Sequence, residues 1–206
     1  GMNGVIRSLS NAHFDFDVVT IADDNYPDRL KDIKGAAPVL YLMGDQTLLE
    51  AEKSMAVVGT RELYDPTVTD PRVIQDGKEI IERLVEKEYV VVSGLAEGCD
   101  TLAHQTAIEQ SGRTVAVLGT PLDRFYPAEN RDLQTRIAQD HLLVSIYPIG
   151  LRTFPSYFAF RNRFTVGLAN DGVTVIRAGD KSGTQHAMND CDTQGKTLYV
   201  LSHNSH

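Results

Sequence analysis

The sequence has no tryptophan, only two cysteines in 206 residues, and no excess of basic residues. Two cysteines, Cys99 and Cys191, cannot build a disulfide framework, and no group of cysteines and histidines has the spacing of a metal site. The formal net charge of −8 excludes broad, nonspecific attraction to a polyanion. A nucleic acid could therefore bind only at a local basic patch.

Long apolar stretches are also missing. No run of apolar residues reaches the roughly 18 that a membrane span needs. The N-terminus lacks the basic start and apolar stretch of a secretory signal. We therefore expect a cytoplasmic protein with no membrane contact.

Short apolar runs rich in β-branched residues are what the sequence has instead. They do not alternate with polar residues, which is typical of strands covered on both faces. Apolar residues recur at helical spacing over 73–85, and four later segments also read as helices. Alternating strands and helices predict an α/β fold with a doubly wound, mostly parallel six-stranded sheet. The predicted strands are 55–58, 89–92, 114–118, 142–146, 173–176 and 197–201, and the later helices are 100–110, 129–139, 161–169 and 184–194.

Residues 1–54 have a different pattern, with turn signals and scattered aliphatic residues in place of strand and helix periods. We interpret them as an N-terminal extension packed on a core domain of residues 55–206.

Four of the six predicted strands run into loops of small residues. Glycine lets the backbone approach a ligand, and the helix that follows offers free N–H groups and the positive end of its dipole. Four such loops at one edge of a sheet predict a phosphate or nucleotide site, although any α/β protein needs small residues in these turns. None matches a dinucleotide fingerprint or a P-loop, and we expect no cofactor. The loops are 57–61, 91–98, 116–123 and 175–184.

A series of short motifs resembles the DNA-processing protein A family, also called Smf. The resemblance covers nearly the whole chain from Tyr26 to Leu201, and a dozen matches in order are far more specific than any one of them. The motifs are YP-x-x-L and P-x-L-Y-x-x-G in 26–44, G-T-R at 59–61, S-G-x-A-x-G-x-D at 93–100, A-H-x-x-A at 103–107, A-V-L-G-x-x-L-D-x-x-Y-P-x-x-N at 116–130, S-x-Y-P-x-G at 145–150, F-x-x-R-N-R-x-x-x-G-L at 158–168 and S-G-T at 182–184.

The resemblance implies an extended Rossmann-like fold that binds single-stranded DNA and delivers incoming DNA to a RecA-type recombinase during transformation. It implies no catalytic residue and leaves open whether the protein forms a homodimer. Backbone amides would hold one phosphate while arginines grip its neighbours. Matched to the family motifs, the DNA- and phosphate-binding residues are Gly59, Thr60, Arg61, Ser93, Gly94, Ala96, Gly98, Arg161, Asn162, Arg163, Ser182, Gly183 and Thr184.

A second group of candidates borders these residues. Asp100 follows Gly98 at the predicted helix start and is expected to cap it, while His104 lies one turn along the helix and within reach of Asp100. An Asp–His pair can orient a general base, but the sequence offers no nucleophile in a suitable setting, so a structural hydrogen bond is the favoured interpretation. Asn130 is expected to cap the helix that begins after it. The other members are Asp123, Tyr126, Phe158 and Arg177.

The chain also departs from the family pattern. Ile146 stands where a glutamate is usual, Arg177 where an acidic residue is usual, and Ala159 where a proline is usual. A lysine that is often found near Pro155 is missing, which weakens the expected DNA track unless Arg177 compensates. We expect the core domain without the winged-helix domain found at the C-terminus of many members.

Two other classes of function remain open. One is a nucleotide-binding enzyme or sensor related to the lysine-decarboxylase-like phosphoribohydrolases, although residues 179–187 lack their double glycine and glutamate, and no paired carboxylate for glycosidic hydrolysis is evident. The other is an interaction module that retains the fold without the affinity.

Overall fold

A computed structural model describes residues 15–179 and 183–201, which form one eight-stranded sheet with helices on both faces. Along the sheet the strand order is β1-β2-β6-β5-β4-β3-β7-β8, and β3 to β8 are parallel to one another. The strands are β1 (Asp17–Thr20), β2 (Val39–Gly44), β3 (Ser54–Val58), β4 (Val90–Ser93), β5 (Arg113–Leu118), β6 (Leu142–Ser145), β7 (Gly172–Val175) and β8 (Leu198–Val200).

The fold prediction is confirmed. Each of the six predicted strands is present with its ends within one residue of the predicted bounds. The strand count is higher than predicted, because β1 and β2 of the N-terminal segment extend the sheet. Both are antiparallel to their neighbours, and β2 pairs with β6. Leu40 and Leu42 of β2 are fully buried, so these two strands share the core of the sheet.

Six α-helices of the described residues cover the two faces. One face carries α2, α3 and α4, and the other carries α1, α5 and α6. The helices are α1 (Asp28–Lys31), α2 (Pro71–Glu86), α3 (Cys99–Glu109), α4 (Arg131–Asp140), α5 (Pro155–Leu168) and α6 (Gly183–Thr193). Helix α5 begins six residues before the predicted start, with Pro155 in its first turn, where the missing N–H of proline costs nothing.

The order of the strands fixes where a ligand can bind. From β3 the chain first builds outward through β4, β5 and β6, and it later returns to place β7 on the other side of β3. The loops after β3 and β7 therefore diverge to opposite faces of the sheet. A crevice opens at such a switch point, beyond the carboxyl ends of the strands.

No helix within residues 15–179 and 183–201 combines the length and the hydropathy that a membrane span requires.

Candidate nucleic-acid interface

A cleft of about 700 Å³ lies at this switch point. The loops after β3, β4 and β7 and the facing sides of α5 and α6 form its walls. In the described part of the chain its charged residues are three arginines and two carboxylates, so the lining carries a small positive excess in an otherwise acidic protein. These residues are Arg61, Arg161, Arg177, Glu62 and Asp100.

Arg161 forms the floor of the cleft. Its residue surface is 3% exposed, and Nη1 donates a hydrogen bond of 2.9 Å to the carbonyl of Val117. The guanidinium lies directly on the backbone of Gly94, where an added Cβ would sit 1.4 Å from Nη1. A side chain at position 94 would therefore displace the arginine. Burial lowers the pKa of Arg161, but arginine stays charged at neutral pH.

Asp100 is the counter-charge to this arginine. Its Oδ2 lies 3.9 Å from Arg161 Nη2 and accepts a hydrogen bond of 3.2 Å from the backbone N–H of Ala96. Burial raises the pKa of the Asp100 carboxyl more than Arg161 lowers it, because 3.9 Å is too long for a charge-assisted hydrogen bond. The pair is loose, and Nε of Arg161 has no hydrogen-bond partner among the described residues.

The loop after β3 is fastened to both neighbouring loops by its backbone. The N–H of Thr60 donates to the carbonyl of Arg177, and the N–H of Cys99 donates to the carbonyl of Thr60. Gly98 makes this approach feasible, since its φ is +74° and an added Cβ would lie 2.4 Å from the Thr60 carbonyl oxygen. The three loops of the cleft therefore form one rigid unit.

The rim of the cleft combines arginine with an aromatic ring. The exposed Arg61 lies over Phe158, with 5.6 Å from its guanidinium carbon to the ring centroid. Gly119 leaves room for that ring, because an added Cβ would sit 2.5 Å from it. Arg177, in the loop after β7, donates to the carbonyl of Val68. A cation and a π-face at one rim suit a phosphate and its attached base.

The structure gathers most of the predicted site residues around this cleft. The predicted residues that line it are Gly59, Thr60, Arg61, Gly94, Ala96, Asp100, Phe158, Arg161, Asn162, Arg177, Gly183 and Thr184. Ser93 and Gly98 lie behind them in the loop, and Ser93 Oγ donates to the carbonyl of Val57. Ser182 lies outside the described residues.

Arg163 is not among the residues that line the cleft. Its Nη1 donates to the carbonyl of Lys34, and its guanidinium carbon lies 4.2 Å from the centroid of the Phe160 ring. Residues two apart on a helix differ in direction by roughly 200°. Arg161 and Arg163 therefore leave α5 on opposite sides, and only Arg161 lines the cleft.

The expected hydrogen bond between Asp100 and His104 is absent, and that prediction is wrong. His104 Nδ1 instead lies 2.7 Å from Thr114 Oγ1 on β5, and the Thr114 hydroxyl donates to the carbonyl of Val91. Nδ1 is therefore the protonated nitrogen of the ring. Asp100 turns away from His104 toward the Ala96 N–H and Arg161, because both offer a buried carboxylate better partners than a neutral imidazole. The predicted cap by Asp100 is therefore also wrong, since Gly98 is the N-cap of α3 and no side chain caps it.

The predicted cap by Asn130 is also wrong. Its side chain makes no capping bond at the start of α4. Its Nδ2 donates to the carbonyl of Leu95 at 3.1 Å and to Thr101 Oγ1 at 2.8 Å. Asn130 therefore ties the loop after β4 to the start of α3. Asp123 and Tyr126 lie outside the cleft, where Asp123 Oδ2 accepts from the N–H of Gly150.

Sequence reasoning missed several residues of the cleft. Thr165 on α5 lines it, and the side-chain hydroxyls of Thr165 and Thr184 are buried with no hydrogen-bond partner among the described residues. His186 on α6 lines the same wall. The pattern offered one usable signal, because Thr165 follows Arg161 by four residues and therefore shares its face of α5.

The buried His104 predicts a pH dependence of stability. Burial lowers its pKa from 6.5 to about 3, because a charged imidazolium lacks solvent there. Its contribution to stability is full above pH 6.5 and is lost as the pH falls toward 3, at up to about 1.4 kcal/mol per pH unit. His104→Asn, whose amide can still donate to Thr114, should show a shallower pH dependence in urea unfolding between pH 7 and 4. Parallel curves for the two proteins would contradict this assignment.

The fold and the cleft together define a class: doubly wound α/β proteins with an arginine-lined cleft at the switch point of the sheet. A family model described as DNA recombination-mediator protein A matches residues 17–206. The chain belongs to this family, the DNA-processing protein A or Smf family.

Individual relatives agree with the family model. The chain is 36% identical over 196 residues to the DNA processing protein DprA of Streptococcus pneumoniae, and 32% identical over 183 residues to that of Bacillus subtilis. These matches cover 94% and 89% of the chain but only 65% and 59% of the two relatives. The chain thus spans about three-fifths of the length of these relatives.

Solved structures show the same fold. The crystal structure of DprA from Streptococcus pneumoniae superposes with a TM-score of 0.83 at 35% identity, covering 95% of this chain and 66% of that one. A structure of DprA from Helicobacter pylori has a TM-score of 0.79 at 29% identity, covering 92% of this chain and 81% of that one. That structure concerns the single-stranded DNA binding mode of the Helicobacter protein.

Proposed function

We propose that this protein binds single-stranded DNA at the switch-point cleft and performs no catalysis there. The observation that carries the proposal is the placement of Arg61, Arg161 and Arg177 around one cleft whose walls are glycine-rich loops. Arginine donates bidentate hydrogen bonds to phosphate, and backbone amides complete the contact. The overall charge of −8 disfavours binding of a polyanion, but this local patch of arginines can bind one.

A binding role is supported by the state of the candidate reactive groups. Ser93 Oγ is engaged with a backbone carbonyl, and His104 is buried and neutral against Thr114. Burial raises the pKa of the Cys99 thiol to about 12, so the thiolate is not populated at neutral pH. None of these groups is an activated nucleophile or general base.

The biological setting is the second part of the proposal. A protein of this family that holds single-stranded DNA would serve DNA uptake and recombination in the cytoplasm and would pass the strand to a RecA-type recombinase, acting as a monomer or as a homodimer. The support is the family itself, with relatives named DNA processing proteins and one relative whose structure concerns single-stranded DNA binding.

A nucleotide-binding enzyme or sensor is the second candidate. Its support is the volume of the cleft, since about 700 Å³ lies within the range of small-molecule sites. The negative net charge of the chain is also compatible with a small nucleotide.

Competition between ligands separates the two functions. We expect labelled oligo(dT) to be displaced from the protein by unlabelled oligo(dT), and only weakly by ATP or nucleoside monophosphates at the same phosphate concentration. The protein would contact several phosphates of one strand. The logarithm of its affinity for the strand should therefore fall with the logarithm of salt concentration by about 0.7 per phosphate contacted. Fluorescence anisotropy across a salt series measures both quantities. Tighter binding of ATP or a monophosphate than of the oligonucleotide would favour the nucleotide function.

A further inference from the structure

Large aromatic side chains are exposed on the loop that follows β5. The side chains belong to Phe125 and Tyr126, whose residue surfaces are 42% and 50% exposed. Arg131, at the start of α4, lies over the Phe125 ring, with 4.7 Å from its guanidinium carbon to the centroid. These rings take no part in the clusters of buried hydrophobic residues under the sheet. Exposed aromatic faces beside a cation are a pattern that core packing does not explain.

The exposed rings are continuous with the rim of the cleft. The Tyr126 ring lies 4.8 Å from the Phe158 ring, centroid to centroid, and Arg61 lies over the same Phe158. We call Phe158, Tyr126, Phe125 and Arg131 the aromatic ridge. It begins at the rim arginine of the cleft and leads away from the cleft over the surface.

The backbone of the ridge is held in place. Gln134 Nε2 donates to the carbonyl of Arg124 at 3.1 Å, and Asp123 Oδ2 accepts from the Gly150 N–H at 3.2 Å. Both bonds hold the chain just before the exposed rings, and Asn130 holds it after them through its hydrogen bond to the carbonyl of Leu95. Rings held in position lose little further entropy when a ligand stacks on them.

We infer that the aromatic ridge extends the DNA site, and that it stacks the bases of the strand that leaves the cleft. This inference rests on the proposed function of the cleft. Every base has a π-face, so stacking on phenylalanine and tyrosine is tolerant of sequence, and an adjacent arginine binds the backbone phosphate. The ridge accordingly lengthens the binding site without adding base specificity. A protein partner would need no continuity with a phosphate site.

The test compares oligonucleotides of different length. The double variant Phe125→Ser with Tyr126→Ser removes both exposed rings, and Tyr64→Ser is the matched control because Tyr64 is 55% exposed and does not line the cleft. Oligo(dT) from 4 to 20 nucleotides is titrated against wild type and both variants. A second series of the longest oligonucleotide carries abasic sugars in its 5′ half or its 3′ half.

We expect the double variant to bind the shortest oligonucleotides as wild type does, and to bind the longest about 5- to 150-fold more weakly, the range for one stacked base. When the half of the oligonucleotide that crosses the ridge is abasic, wild type and double variant should bind it equally. Whether this is the 5′ half or the 3′ half gives the polarity of the bound strand. The control should match wild type throughout.

Equal affinity of wild type and double variant at every length would overturn the role of the ridge while leaving the cleft intact. An equal loss at all lengths would overturn it too, because it would place these rings in the cleft site. A loss that persists when either half is abasic would show that the rings bind something other than bases. If wild type binds no oligonucleotide of any length, the proposed function of the cleft and the ridge are overturned together.

Discussion

Arg161→Ala is expected to lower the free energy of unfolding by about 3–5 kcal/mol and to abolish binding in the cleft. The substitution leaves the Asp100 carboxyl in the protein interior without its nearest counter-charge. It also removes the hydrogen bond to the Val117 carbonyl and empties the space above Gly94. Urea unfolding at pH 7 measures the stability, and anisotropy with labelled oligo(dT) measures the binding.

A double variant separates charge from packing at the same place. Arg161→Met with Asp100→Asn removes both charges, keeps an apolar stem over Gly94 and retains an acceptor for the Ala96 N–H. Since a buried pair can be replaced by neutral groups at little cost, this variant should recover most of the lost stability and none of the binding. Equal instability of Arg161→Ala and the double variant would show that the guanidinium acts through its contacts alone.

Gly98→Ala is expected to lower stability by several kcal/mol and to open the cleft. Its φ of +74° is a conformation that alanine adopts only with strain, at a cost of about 1–3 kcal/mol. The new Cβ would also lie 2.4 Å from the Thr60 carbonyl oxygen and 2.7 Å from that of Arg61, so the loops after β3 and β4 would have to separate. Such overpacking adds a further cost of about 1–3 kcal/mol.

Gly195→Ala is the matched control for this substitution. Gly195 has a φ of +63°, and its added Cβ would meet no atom within 4 Å. It therefore shares the positive φ without the collision, and we expect a loss of about 1–2 kcal/mol with oligonucleotide affinity unchanged. Thermal and urea unfolding compare a positive φ with and without the collision. Equal losses at the two positions would mean that the loops adapt to the methyl group.

The sheet could be predicted from the sequence because its central strands are buried on both faces. Runs such as Val90–Ser93 and Gly172–Val175 can be recognised without knowing which strands they pair with. Strand β1 could not be found in that way, because Asp17–Thr20 is half polar and partly exposed. Strand β2 has an apolar run that is buried on both faces, but the turn signals around it led to its interpretation as part of an irregular extension. Its pairing with β6, about a hundred residues away, leaves no local pattern.

The sequence predicts which loops form the site, but not which side chains in it contact one another. Glycine-rich turns after parallel strands placed Gly59, Gly94 and Arg177 at one edge of the sheet, where the structure has them. Helix geometry separated Arg161 from Arg163, although the motif gave both the same role. The hydrogen-bond partner of His104 is Thr114 on β5, and helix spacing does not indicate that contact. Side-chain partners depend on which strands are neighbours, so they follow only once the topology is known.

The central claim is that the cleft binds the phosphates of single-stranded DNA, and one salt titration tests it most directly. Arg61→Ala removes the exposed arginine at the rim, whereas Arg136→Ala removes an equal charge from the exposed surface of α4, which packs against β2 and β6 away from the cleft. The affinity of oligo(dT) is measured from low to high salt for wild type and both variants. We expect Arg61→Ala to weaken binding by about 1–3 kcal/mol and to make the salt dependence shallower by about 0.7, the value for one phosphate, and Arg136→Ala to change neither. Identical losses in the two variants would mean that DNA responds only to overall charge, and they would contradict a binding site in the cleft.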